Sequence, residues 1–167
     1  TVDSDDFQSR ATREGKAAQK LAEQVLTDSG FHIEERNRRF RGTGVTVNFV
    51  AKDGDGATWL FDVSGAFTTH RGGLLRTDTV WKSLGRAYAL KASRGPNPLV
   101  LLTSHLPKRP SEGATALRAA GPDAFFDAIE MLSADGLERL RNYAKGGSTD
   151  RPQPGFWTDR DLARRKV

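Results

Sequence analysis

The 167-residue chain suits one domain with its own hydrophobic core, and its 37% of hydrophobic residues fall in periodic runs that exclude a disordered protein. The absence of cysteine excludes disulfides and thiolate metal sites, and no apolar run is long enough for a signal region or a transmembrane helix, so we expect a cytoplasmic protein. The formal net charge of +5 favours polyanionic partners.

The first half of the chain predicts a helix followed by three strands. Residues 11–28 carry apolar side chains at helical spacing, and an extended segment runs from Phe31 to Phe40. Residues 45–51 alternate as a strand does, the turn at 53–56 is a hairpin signal, and residues 58–64 form the partner strand. Because the turn is short, we expect these two strands to be antiparallel neighbours.

The second half predicts further helices around a buried strand. A Gly- and Thr-rich loop at 65–77 leads to a helix at 78–92, whose predicted stripe is Val80, Leu84, Ala87 and Tyr88. Residues 99–103 form a continuous apolar strand, and residues 123–133 and 134–144 are predicted to be helical. We therefore expect an N-terminal extension at 1–10, one domain at 11–146, and a linker with a basic tail at 147–167.

The segments at 44–50 and 59–65 carry a family resemblance. In the predicted order αβββαβ, Asn48 lies in the second strand, and Asp62 and Ser64 lie two residues apart in the third. The pattern resembles the PD-(D/E)xK nuclease superfamily over roughly residues 12–105. The resemblance implies an α/β fold of restriction-endonuclease-like core, with a central mixed sheet of four to five strands flanked by helices.

The same resemblance implies a site for metal-dependent phosphodiester hydrolysis. In the superfamily, an acid on the second strand and an acid-x-Lys motif on the third hold Mg²⁺ (or Mn²⁺), a hard cation that prefers carboxylate oxygen. Asp62 matches this pattern as a metal ligand. Asn48 stands at the position of the first acid as a weakened second ligand, and Ser64 stands at the position of the lysine. We expect the side chains of Asn48, Asp62 and Ser64 to lie within reach of each other.

Two further residues are candidates for supporting roles. Lys82, one helix later, is the candidate for the missing lysine, although its spacing with Asp78 and Arg86 also predicts a solvated polar face. Glu14, in line with the apolar stripe of the first helix, is the candidate acid of that helix, and Gln19 borders the same face.

Several arginines are candidates for phosphate contacts. Four of them alternate along the extended segment after the first helix, so that some share a face, and two more lie in the loop at 65–77: Arg36, Arg38, Arg39 and Arg41, then Arg71 and Arg76. A second basic cluster at 160–166 predicts weaker contacts, or a loose tail.

The pattern as a whole indicates a metal-dependent endonuclease domain that acts on DNA, with activity weakened or lost at Asn48. The alternative is a non-catalytic DNA-binding module that keeps the nuclease fold within a larger DNA-processing or restriction system. A third possibility is a protein-interaction domain of a larger assembly. By analogy, cleavage of both strands calls for two sites, so a homodimer is also expected.

Overall fold

The structure, a computed structural model, describes residues 2–65, 72–147 and 149–164, and within the first helix it describes side chains from Lys16 onwards. Its elements, in chain order, are α1 Val2–Ser29, β1 His32–Phe40, β2 Val45–Lys52, β3 Thr58–Ser64, α2 Thr77–Leu90, β4 Leu99–Thr103, α3 Glu112–Ala124, β5 Asp127–Glu130, α4 Ala134–Ala144 and α5 Asp159–Ala163. In that described part of the chain, no helix has the length and apolarity needed to cross a membrane.

The five strands form one mixed sheet in the order β1-β2-β3-β4-β5. β2 is antiparallel to both of its neighbours, β1 and β3, whereas β3, β4 and β5 are parallel to each other. Parallel neighbours require a crossover connection, and α2 and α3 supply the two crossovers. The expected α/β class and the mixed sheet of up to five strands are therefore confirmed.

Helices cover both faces of the sheet. The core on one side joins α1 and α4 to the sheet through residues such as Leu26, Phe61 and Leu140. The core on the other side joins α2, α3 and α5 to the sheet through residues such as Val80, Leu101 and Leu162. The sheet is therefore buried on both faces, which explains why β4 is apolar at four consecutive positions.

The hairpin between β2 and β3 is held by its first turn residue. Asp53 Oδ1 accepts hydrogen bonds from the backbone N–H groups of Asp55 and Ala57, at 2.9 and 3.0 Å. The indole N–H of Trp59 donates to Asp53 Oδ2 at 2.9 Å. The turn predicted at 53–56 is thus confirmed, and Asp53 anchors it to the core.

One predicted element and one predicted boundary differ from the structure. The sequence predicts a helix over residues 123–133, but residues 127–130 form β5, and α3 ends just before it. The helix predicted to begin at residue 11 begins at Val2, so the expected N-terminal extension at 1–10 belongs to α1 from that residue onwards.

Residues 149–164, which belong to the linker and basic tail expected at 147–167, pack against the domain. Phe156, Trp157 and Leu162 are buried in the core on the α2 and α3 side, and the Trp157 indole N–H donates to the backbone oxygen of Phe126 at 2.9 Å. Arg118 of α3 pairs with Asp161, which also caps α5. Residues 149–164 are therefore part of the folded unit.

A glycine pair closes the connection after β3. Gly65 and Gly73 both have positive φ angles, and a Cβ placed on Gly65 would come within 2.7 Å of the Cα of Gly73. The backbone N–H of Leu74 donates to Thr103 Oγ1 at 3.1 Å. The start and the end of this connection therefore meet beside the end of β4.

Candidate functional site

Asp62 is the central residue of the predicted site. It lies near the end of β3 with its side chain towards α2, and only 5% of its surface is exposed. Arg86 of α2 donates two hydrogen bonds to Asp62 Oδ2, from Nη2 at 2.8 Å and from Nε at 3.2 Å. Burial nevertheless outweighs this favourable charge and raises the pKa of the Asp62 carboxyl.

Ser64, two residues further on, also points at α2. The hydroxyl of Ser83 donates to Ser64 Oγ at 2.9 Å, and both serines are almost completely buried. Arg86 Nη2 also lies 3.3 Å from Ser83 Oγ. The four residues Asp62, Ser64, Ser83 and Arg86, which we call the Asp62 cluster, are thus joined by hydrogen bonds between β3 and α2.

The backbone of β2 is irregular at Asn48. Val47 and Phe49 are both completely buried, but they belong to the cores on opposite faces of the sheet. In a regular strand, residues two apart face the same side. On the neighbouring strand, Asn37 has a φ of 53°, a left-handed conformation that asparagine tolerates better than most residues. At Asn37 in β1 and at Asn48 in β2, the side chains therefore switch from one face of the sheet to the other.

The Asn48 side chain is directed to β3 and α1. Its Oδ1 accepts a hydrogen bond from the backbone N–H of Val63 at 2.8 Å, and its Nδ2 lies 3.4 Å from Oε1 of Gln19. Gln19 in turn donates to Asn37 Oδ1 at 2.9 Å. The side chain of Asn48 is thus bound on the α1 side.

The predicted convergence of Asn48, Asp62 and Ser64 is therefore only partly observed. Asn48 and Asp62 each lie one residue beyond the Phe49–Phe61 pair, so they are neighbours along the β2–β3 ladder. However, Asn48 is hydrogen-bonded to α1, whereas Asp62 and Ser64 are bonded to α2. The three residues are thus on neighbouring strands as expected, but the strand irregularity gives the Asn48 side chain partners different from those of Asp62 and Ser64.

Of the two candidates for supporting roles, Lys82 is described by the structure and the side chain of Glu14 is not. Lys82 is exposed, and it lies one helical turn after Asp78, whose carboxylate it attracts. This position agrees with the solvated polar face that was its alternative. The side chain of Glu14 lies outside the described residues. Gln19, which bordered the same face, is the described α1 residue that contacts Asn48.

The arginines of β1 and the turn after it are exposed on the outer strand of the sheet. Arg36 pairs with Glu23 of α1, with Nε at 2.8 Å from the carboxylate. Arg38 lies over the ring of Phe40, 4.7 Å from its centroid, and Phe40 packs on the opposite core. Arg36 and Arg38 therefore face opposite sides, because the left-handed conformation of Asn37 lies between them.

The remaining predicted arginines differ in their surroundings. Arg39 and Arg41 are exposed. Arg76 lies 3.3 Å from Asp78 at the start of α2. Arg71 lies outside the described residues. Because β1 and β3 are both antiparallel to β2, they run in the same direction, so Arg39 and Arg41 are at the same end of the sheet as Asp62.

The donor atoms around Asp62 do not suit Mg²⁺ as they stand. Within residues 16–65, 72–147 and 149–164, no three His, Asp or Glu side chains come together. The Asp62 carboxylate is bound to a guanidinium, and the Asn48 carbonyl is bound to a backbone N–H. Mg²⁺ binding would require charged oxygen ligands in place of these partners.

Two residues of the Asp62 cluster were not predicted from the sequence: Ser83, and Arg86, which was placed on the solvated face of its helix. The positions of α2 that face the sheet are Val80, Ser83, Ala87 and Leu90. Ser83 is a small polar residue in an otherwise apolar stripe, and Arg86 follows it by three residues. A hydroxyl in a core-facing stripe indicates a buried polar partner on the sheet, and that signal could have identified α2 as the neighbour of Asp62.

Comparison with known proteins adds no assignment: no family model, curated protein sequence or solved structure matches the chain.

Proposed function

We propose that this chain is a non-catalytic DNA-binding module whose strand order resembles the core of PD-(D/E)xK nucleases. The observation that carries the proposal is the position of the basic residues. The carboxyl end of β1 lies on the same side of the mixed sheet as the carboxyl ends of β3 and β4. It carries Arg38, Arg39 and, just after the strand, Arg41. In open α/β sheets this end is where ligands bind, and arginine is a favoured partner of phosphate.

The contacts of the Asp62 cluster support the non-catalytic form of the proposal. Asp62 is hydrogen-bonded to Arg86, and Ser64 occupies the position where the resemblance implies a lysine. Asn48 brings no charge, and its carbonyl is bound to Val63. These hydrogen bonds join β3 to its neighbours, so the residues act as structural contacts between the sheet and its helices.

The salt dependence of DNA binding tests this function. Each phosphate that a protein neutralises contributes about −0.9 to the slope of log K against log salt for duplex DNA. We expect Arg38→Gln and Arg39→Gln each to weaken binding of a short duplex and to reduce this slope by about 1. Arg141→Gln, at an exposed position of α4, is the matched control. An unchanged slope in both β1 variants would remove this surface from the interface.

A second candidate function is Mg²⁺-dependent cleavage of DNA, and one observation favours it. A carboxylate that is almost completely buried at the carboxyl end of a strand, with a raised pKa, is a feature of functional sites. Plasmid nicking in Mn²⁺ tests this candidate. Nicking by the unchanged chain that is lost in Asp62→Asn would establish it, and would overturn the non-catalytic form of the proposal.

A further inference from the structure

The outer face of α2 carries two exposed aromatic side chains. Trp81 is 53% exposed and Tyr88 is 79% exposed, whereas Val80, Ala87 and Leu90 pack against the sheet. Seven residues correspond to almost two full helical turns, so the two rings are on the same side of the helix. Large apolar groups that remain exposed together indicate a binding surface.

The helix fixes the separation of the two positions along its axis. Seven residues of helix rise about 10 Å, which equals about three stacking intervals of 3.4 Å. Gly85 lies between the two rings, and a Cβ at this position would meet no atom within 4 Å. The helix surface at Gly85 is therefore open, and the separation of the two aromatic positions matches the gap that two planar groups need when stacked between two rings.

The charge of the same segment indicates the chemistry of its partner. Residues 77–95 contain one acid, Asp78, and four cationic residues, Lys82, Arg86, Lys91 and Arg94. Arg86 is already paired with Asp62. Lys82 and Lys91 are exposed, and their helical spacing puts them to the left and to the right of the line that joins the two aromatic positions. A second copy of the chain would bring these cations against each other, whereas a polyanion would be attracted to them.

We propose that α2 binds single-stranded nucleic acid, and that Trp81 and Tyr88 hold two stacked, unpaired bases over Gly85. Bases stack on exposed aromatic side chains whatever their sequence, and neighbouring cations bind the phosphates. Paired bases cannot enter the gap, so this surface selects single strands. The proposal goes beyond the function proposed above, because it concerns the outer face of α2 and not the arginines of β1.

The intrinsic fluorescence of the protein provides the first measurement. Of the three tryptophans, Trp59 and Trp157 are buried and Trp81 is exposed, so quenching by an added oligonucleotide reports on Trp81. We expect an oligo(dT) of about twelve nucleotides to quench the tryptophan emission in a saturable manner. A blunt duplex of the same length serves as the comparison and is expected to leave the emission unchanged.

A set of variants tests the gap itself, with binding followed by the polarisation of labelled oligo(dT). Gly85→Leu fills the gap at an exposed helical position, where leucine is a better helix former than glycine, so the fold is retained. We expect Gly85→Leu and Tyr88→Leu each to weaken binding about tenfold or more, and Trp81→Phe to retain most of it. Leu132→Ala, which alters another exposed apolar side chain, is the control.

Three outcomes would overturn the proposal: unchanged affinity in Gly85→Leu, equal quenching by the duplex, or a concentration-dependent dimer that Tyr88→Leu abolishes. The binding functions proposed for β1 and α2 can fail separately. Loss of duplex binding in Arg39→Gln with unchanged quenching by oligo(dT) supports both. Quenching by oligo(dT) without any salt-dependent duplex binding overturns only the function assigned to β1.

Discussion

At the scale of single residues, Asn48 replaces a backbone acceptor of the sheet. Its Oδ1 accepts the Val63 N–H at 2.8 Å where the register between β2 and β3 ends. We expect Asn48→Ala to lower the free energy of unfolding by about 1 to 2 kcal/mol, since the N–H loses its partner. Asn48→Asp keeps an acceptor and should lose less. Urea denaturation measures both, and equal losses would contradict this role.

Asp62 links stability to pH. Its pKa is raised by burial, so the folded protein keeps the proton at a pH where the unfolded chain has released it. The free energy of unfolding should therefore decrease as pH rises from below the unfolded pKa, about 3.9, through the raised folded pKa. In Asp62→Asn, this contribution should be absent. Urea titrations of both proteins between pH 3 and 8 measure the difference, and an increase with pH would reverse the assigned direction.

Sequence reasoning located the residues of the site better than their directions. The hairpin correctly placed Asn48 and Asp62 on neighbouring strands. The opposite directions of their side chains depend on the left-handed conformation of Asn37 and the change of face between Val47 and Phe49. Neither feature alters the apolar pattern of β2 enough to be recognised, because buried residues stand on both sides of the change.

At the scale of elements, β5 and α4 are joined by a buried ion pair. Asp127 is fully buried, and its Oδ2 accepts hydrogen bonds from Arg139 Nη1 at 2.6 Å and from the Tyr143 hydroxyl at 2.8 Å. Removing one member leaves an uncompensated buried charge. We expect Arg139→Ala to lower the free energy of unfolding by about 3 to 5 kcal/mol.

The matched control for this pair is on the same helix. Arg141 is exposed, so Arg141→Ala should change the free energy of unfolding by no more than about 0.5 kcal/mol. Chemical denaturation of the two variants at one pH makes the comparison. Similar losses of stability in both variants would mean that the ion pair with Asp127 stabilises the fold no more than the exposed Arg141 does.

The elements that the sequence did not predict are short or interrupted. β5 has only four residues, and two of them are acids, so the segment around it lacks the alternation that would separate a strand from a helix. α3 contains Gly113 and Pro122, and Gly121 departs from helical geometry within it. By contrast, the sequences of β2, β3 and β4 have apolar patterns that are typical of strands, and their predicted bounds agree closely with the observed ones.

At the scale of the whole molecule, the segment at 149–164 completes one core. Trp157 is buried beside Phe125, with ring centroids 5.0 Å apart. We expect Trp157→Ala to lower the free energy of unfolding by about 3 to 5 kcal/mol, because a large cavity would remain. Trp81→Ala, at an exposed position, should change it by less than about 1 kcal/mol. Thermal unfolding of both variants tests the difference, and equal shifts would show that the segment is dispensable.

The two outer strands of the sheet have different means of avoiding aggregation. β5 has only four residues, whereas β1 has nine, and most of its side chains are exposed. A long unpaired strand edge is a template for pairing with another chain, and charged side chains prevent that pairing. Glu34, Glu35 and the arginines of β1 therefore oppose pairing of this edge with another chain. Replacing several of these arginines by apolar residues should cause the protein to self-associate through β1, whereas lysine at the same positions should leave it monodisperse.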